Sequence, residues 1–191
     1  MGQEEKTDEQ IDESLIEQIS YEGDQSPEFD ALVRTREHTT APQDGLSEPT
    51  RDKVLVSGWH VPCHCIVVRT KDGLCQAFHV QPNKGGSFLT ADQEDALKGL
   101  GQQKASAIVA KGQRSWFGFA DIQELAHLQI TLERVVNVDT SNRWRLLYDP
   151  QSNELWIDSR DEHLLTKYRG FSSKASQGTA GLTRRTQQVA A

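Results

Sequence analysis

The clearest pattern in the chain is a series of short apolar runs, rich in β-branched residues and separated by turn signals, from Lys53 to Asp158. Lys53 to Ser57 (KVLVS), Cys63 to Arg69 (CHCIVVR) and Leu74 to Val80 read as strands, with Gly58 to Pro62 as a turn-like connection after the first. Lys71-Asp72-Gly73 signals a hairpin between the second and third, and Asp72 fits there as a turn residue. Pro82 ends the third strand, and Lys84-Gly85-Gly86 reads as a loop. Ser106 to Ala110, Gln129 to Val138, Trp144 to Tyr148 and Glu154 to Asp158 predict further strands, the last two joined by a turn at Asp149 to Asn153. Helical signals interrupt this series twice. Thr90 and Gln93 fit a capping box for a helix over Ala91 to Leu100, and Asp121 with Glu124 caps a shorter helix to about Leu128. Strands that mostly neighbour strands, with two or three helices, predict an α+β fold: a largely antiparallel sheet or sandwich with the helices outside.

The flanks carry a different pattern. Residues 1–52 are polar and acidic, with Pro27, Pro42 and Pro49 scattered through them, and predict a disordered leader. Within it Ile11, Leu15, Ile16 and Ile19 have the spacing of a short amphipathic helix or partner-docking segment. Residues 170–191 are rich in Ser, Gly, Thr and Gln and predict a disordered basic tail, leaving 53–169 as the folded domain. The first thirty residues hold eleven acidic side chains against Lys6 alone, so the net charge of -7 belongs to the leader. The remainder has no dense basic stripe, which argues against a nucleic-acid partner.

Nothing in the chain approaches the roughly 20 apolar residues of a membrane span, and no charged-then-apolar leader suggests Sec export. Lys6 stands where a myristoylation signal needs Ser or Thr. Three cysteines, two of them spaced C-x-C, make a disulfide framework improbable and point to a reducing compartment. The expectation is a soluble protein, cytoplasmic or delivered into another cell.

The candidate chemistry is concentrated between Val54 and Asn83, which hold Cys63, Cys65, Cys75, His60, His64 and His79. A thiol at the start of a strand can be backed by backbone N–H donors, and a histidine one strand away can take its proton for acyl transfer. Cys63 is the leading nucleophile, Cys65 the alternative, and His79 the acid/base. Register decides whether they meet. A two-residue turn at Asp72-Gly73 turns His79 to the other face beside Ile66, whereas a three-residue loop, Lys71 to Gly73, sets Cys65 opposite His79 with Cys63 diagonal.

Plainer readings stand beside this one. Cysteines on strands are commonly small buried hydrophobes, and Cys75 in mid-strand fits that role. His60 and His64 read as surface or satisfied histidines. His60, Cys63, Cys65, Cys75 and His79 are suitable zinc donors, but C-x-C places consecutive ligands awkwardly for a tetrahedral site, and no cofactor is expected. Trp59, Trp116 and Phe117 fit either cleft walls or core packing.

Taken together, Ser57-Gly58, Cys63 with Ile66-Val67-Val68 after it, Asp72-Gly73, and His79 followed by Pro82-Asn83 resemble the Cys–His core of the bacterial protein-glutamine deamidases. These are the cytotoxic-necrotizing-factor toxin domain and the CheD chemoreceptor deamidases, which share a fold with the YfiH-type hydrolases. The resemblance covers this stretch of the chain and no more. It implies a glutamine deamidase acting on a partner protein through a thioester. Cys63 would be the nucleophile and His79 the general acid/base, with Ser57 orienting the histidine or polarising the site and backbone N–H groups near Cys63 forming the oxyanion hole. It also makes a translocated bacterial effector or toxin plausible. The alternatives are a non-enzymatic interaction domain that docks partners through its acidic leader and basic tail, and a zinc-binding module.

Overall fold

The computed structural model describes residues 16–20, 22, 25–61, 63–81, 88–113, 117–138, 143–160 and 162–172. In chain order they form β1 (Ile16–Ser20), α1 (Pro27–Thr35), β2 (His38–Ala41), β3 (Val54–His60), β4 (His64–Arg69), β5 (Cys75–Val80) and α2 (Ala91–Gly101). Then follow β6 (Ser106–Gly112), α3 (Phe119–His127), β7 (Thr131–Val138), β8 (Trp144–Asp149), β9 (Glu154–Ser159) and β10 (Leu164–Arg169). The larger sheet has the order β1-β10-β9-β8-β3-β2, and the smaller one β5-β4-β6-β7. Both are mixed, because β2–β3 and β6–β7 pair in parallel while the other neighbours are antiparallel. The architecture is α+β, as the run of strands predicts. Among the described residues no helix is long and apolar enough to cross a membrane.

Three apolar clusters show how the layers stack. Phe29 of α1 packs with Val54, Leu147 and Leu165 on the outer face of the larger sheet. Leu55, Trp144, Leu146, Tyr148, Leu155 and Ile157 meet Cys65, Val67, Ala77, Ile108 and Ala110 between the sheets. Ile66, Val68, Phe78 and Val109 face Leu97 and Leu100 of α2 and Leu125 of α3. The order is therefore helix, sheet, sheet, helices. Covered on both sides, β4, β5 and β6 read as nearly continuous apolar runs rather than as alternating strands.

The fold begins well before Lys53, which corrects the expected leader. Ile16–Ser20 is a strand paired with β10, not a helix, and Ile11 and Leu15 lie outside the described residues. Ser26 caps α1 by accepting from the Phe29 N–H (3.3 Å), Pro27 follows at the first helical position, and Glu28 and Asp30 suit the positive end of the dipole. Of the expected tail, Gly170 to Ser172 are described. Phe171 is buried against Tyr148, and residues 173–191 lie outside the described residues.

Two smaller corrections follow from local chemistry. Asp121 is not the cap of α3: the helix starts at Phe119, and the Asp121 carboxylate accepts from the Gly118 N–H (2.6 Å). The expected connection after Ser57 is instead strand as far as His60, with a break in pairing register inside it.

Candidate active site

The geometry of the site starts at Gly73. Its φ of +87° is the left-handed conformation that closes a three-residue hairpin loop, with Thr70 and Leu74 as the last pair (Thr70 N–H to Leu74 O, 2.8 Å). That loop fixes the register of the two strands: His64 stands opposite Val80, Cys65 opposite His79, and Arg69 opposite Cys75. Cys65 and His79 thus share the face that looks into the space between the sheets. Cys63 stands immediately before β4, outside the paired residues and two positions from Cys65. His79 is held by its backbone: its N–H donates to Gly45 O (3.0 Å), and its carbonyl accepts from Gln93 Nε2 (2.8 Å). The same Gln93 completes the capping box of α2 with Thr90, so the helix start and His79 are built as one unit.

The opposing sheet supplies the rest. Along β3, Leu55↔Tyr148 and Ser57↔Leu146 keep one register, but His60 pairs with Trp144, so Gly58-Trp59 contains one extra residue. A bulge of this kind re-aims the next side chain. Without it Trp59 would follow Leu55 and Ser57 into the interior. With it Trp59 lies on the α1 side, its ring 5.1 Å from the Arg145 guanidinium, and His60 turns inward. The His60 ring stacks on His79 (centroids 3.9 Å, 30° between planes) and on Trp144 (4.2 Å, 20°). Its Nε2 lies 2.9 Å from Ser57 Oγ. Ser57, expected to orient the acid/base histidine, therefore contacts His60 rather than His79, and it also hydrogen-bonds Cys65.

His60 and His64 are fully enclosed, not the surface residues that their polar neighbours suggest. His64 faces the helix side, between the rings of Phe88 and Phe117. Phe117 is therefore core packing around a histidine, and Trp116 lies outside the described residues. Cys75 is buried at the far end of β5, its thiol against Gly73 O (3.4 Å). Among the described residues no three His, Cys, Asp or Glu side chains gather into a site that could hold a metal ion.

Burial dominates the electrostatics. It holds the His79 and His64 imidazoles down at about 4, with the His79 and Lys111 charges adding to the shift of His64. His60 is lowered well below the ordinary range, first by burial and then by His79 and His64. Burial raises all three thiols: Cys65 to about 12, Cys75 to about 11, and Cys63 less, with Asp44 adding and the Val61 backbone opposing. The resting pair is thus a neutral imidazole and a protonated thiol, not an ion pair. Thiolate ultraviolet absorbance should be absent at neutral pH and grow in only above the ordinary thiol value of about 8.5. A thiolate band at neutral pH would mean that a positive charge activates one of the sulfurs.

Cys63 has the least perturbed thiol of the three and, although buried, keeps 5% exposure where Cys65 and Cys75 have none. His60 Nδ1, both ring nitrogens of His79 and Trp144 Nε1 are buried without a hydrogen-bond partner among the described residues. Each such group left unpaired costs about 1–3 kcal/mol. His60 and Trp144 are not found by a two-residue alternation counted along β3. The available signal was Gly58 inside a strand pattern, which marks a bulge and shifts which residue faces inward. No protein-family model matches the chain, and no curated protein matches it.

Proposed function

We propose that the protein is a Cys–His amidohydrolase that converts a glutamine side chain of a partner protein to glutamate. The observation that carries this reading is the hairpin register, which sets His79 opposite Cys65, two residues along the chain from Cys63, with Ser57 hydrogen-bonded to Cys65 from the facing sheet. Burial favours Cys63 over Cys65 as the nucleophile, because the Cys65 sulfur is sealed between the sheets.

Cys63 Sγ attacks the carbonyl carbon of the glutamine amide as its proton passes to His79, and backbone N–H groups near Cys63 hold the oxyanion. His79 returns the proton to the amide nitrogen, which leaves as ammonia, and a thioester remains. Water then attacks the thioester, giving its proton to His79, and the expelled sulfur takes that proton back. A neutral imidazole with neither nitrogen engaged can accept the thiol proton. The likeness to bacterial deamidases supplies the substrate class and the suggestion of delivery into a target cell.

Incubation with cell lysate should convert particular glutamines to glutamate, a gain of about one mass unit, and Cys63→Ser should abolish the conversion while Cys65→Ser retains it. Full activity of Cys63→Ser would remove Cys63 from the mechanism.

A further inference from the structure

We infer that His60 is a positioning residue for His79: clamped between the Trp144 and His79 rings and tethered to Ser57, it fixes the plane of the acid/base imidazole. The inference rests on the Cys63–His79 reading of the site.

In a nucleophile–base pair the base is ordinarily oriented by a third group bonded to its far nitrogen. His79 has no such group among the described residues, since neither ring nitrogen has a hydrogen-bond partner. Its backbone is fixed at both N–H and C=O, so rotation of the ring about its side-chain bonds is the freedom left to control. The flat contact at 3.9 Å controls it through the ring face instead of the ring edge. Three features make His60 a firm surface for that contact. Trp144 backs its other face and is wholly buried, Ser57 Oγ holds Nε2 at 2.9 Å, and the β3 bulge directs the side chain inward. A purely structural need would be met better by an apolar side chain. Imidazole at this position leaves Nδ1 buried and unpaired, a cost that leucine or phenylalanine would not incur.

The test compares His60→Phe, which keeps a flat ring between Trp144 and His79, with His60→Leu, which fills the space without one. Both remove the unpaired nitrogen, so both should fold. The readout is the rate of Cys63 alkylation by iodoacetamide across pH, followed residue by residue by mass spectrometry, with His79→Ala as the reference. His60→Phe should stay within about threefold of the wild type and keep its pH profile. His60→Leu should fall about tenfold or more, and its profile should converge on that of His79→Ala, because a base held out of line no longer assists the thiol. Equal rates and profiles for the two His60 variants would overturn the positioning role. If instead His79→Ala alkylates as fast and with the same profile as the wild type, the acid/base assignment itself fails, whatever the His60 variants do.

Discussion

Between about pH 6.5 and pH 4 the protein is expected to lose about 6 kcal/mol of folding stability through two histidines, His64 and His79. In the unfolded chain each ring takes a proton near 6.5, whereas in the fold burial holds both neutral down to about 4. The unfolded state therefore binds more protons throughout this window. Stability is complete above about pH 6.5, falls as the solution is acidified, and loses nothing more from these groups below about pH 4. A shift of this size corresponds to about 3 kcal/mol per ring, and the sum is a large part of the 5–15 kcal/mol typical of a folded domain. Other charges work in the same direction. Lys111 disfavours a proton on His64, and His60, 3.9 Å from His79, cannot readily share a second charge with it. Urea unfolding at steps of pH should show the midpoint dropping steeply on acidification. His64→Phe, which keeps an aromatic side chain between Phe88 and Phe117, should remove about half of that slope. A midpoint that holds steady across the window, or a slope that survives His64→Phe unchanged, would mean these rings are not buried neutral.

How far this site was legible beforehand follows from which forces act locally. The strands from β3 to β9 announce themselves because their β-branched runs are bounded by Gly, Pro and Asn. The capping box of α2 is written in Thr90 and Gln93 and forms as read. The sequence allows two hairpin registers, and the choice between them rests on the backbone of Gly73, which composition does not fix. β1, β2 and β10 escaped notice because IEQIS, HTTA and LLTKYR are half polar. They are strands through pairing with distant partners, not through any strong preference of their own. α1 had readable signals in Ser26, Pro27 and Phe29, but they lay within an acidic, proline-bearing stretch whose overall composition suggests disorder. His60 was hidden by a different cause. Its inward direction depends on one extra residue in β3 relative to β8, and a two-residue alternation counted from Ser57 places Trp59 inside instead.

The Arg145 side chain helps tie the acidic N-terminal region to the fold, alongside the β1–β10 pairing and the Arg36–Asp149 bridge, and removing it should be costly. Arg145 on β8 is mostly buried. Its Nε donates to Asp158 (2.6 Å), its Nη2 lies 2.7 Å from Asp30 of α1, and its guanidinium sits 4.2 Å from the centre of the Phe29 ring. Asp158 is completely buried, so Arg145→Ala leaves a carboxylate inside the protein without its guanidinium while also stripping the cation from the Phe29 and Trp59 rings. Breaking a buried pair from one side costs about 3–5 kcal/mol. For a chain of this length that is a fall in melting temperature of roughly 6–20 °C. Arg145→Lys should recover only part of the loss, because a single ammonium cannot span Asp158 and Asp30 or lie flat on Phe29. Replacing both partners by apolar residues, Arg145→Met with Asp158→Leu, should restore most of it, since the cost lies in the abandoned charge more than in the lost attraction. A loss below about 1 kcal/mol for Arg145→Ala would place the pair with exposed surface bridges. It would also mean that Phe29 and its apolar neighbours, with the Arg36–Asp149 bridge at the helix end, hold α1 against the sheet.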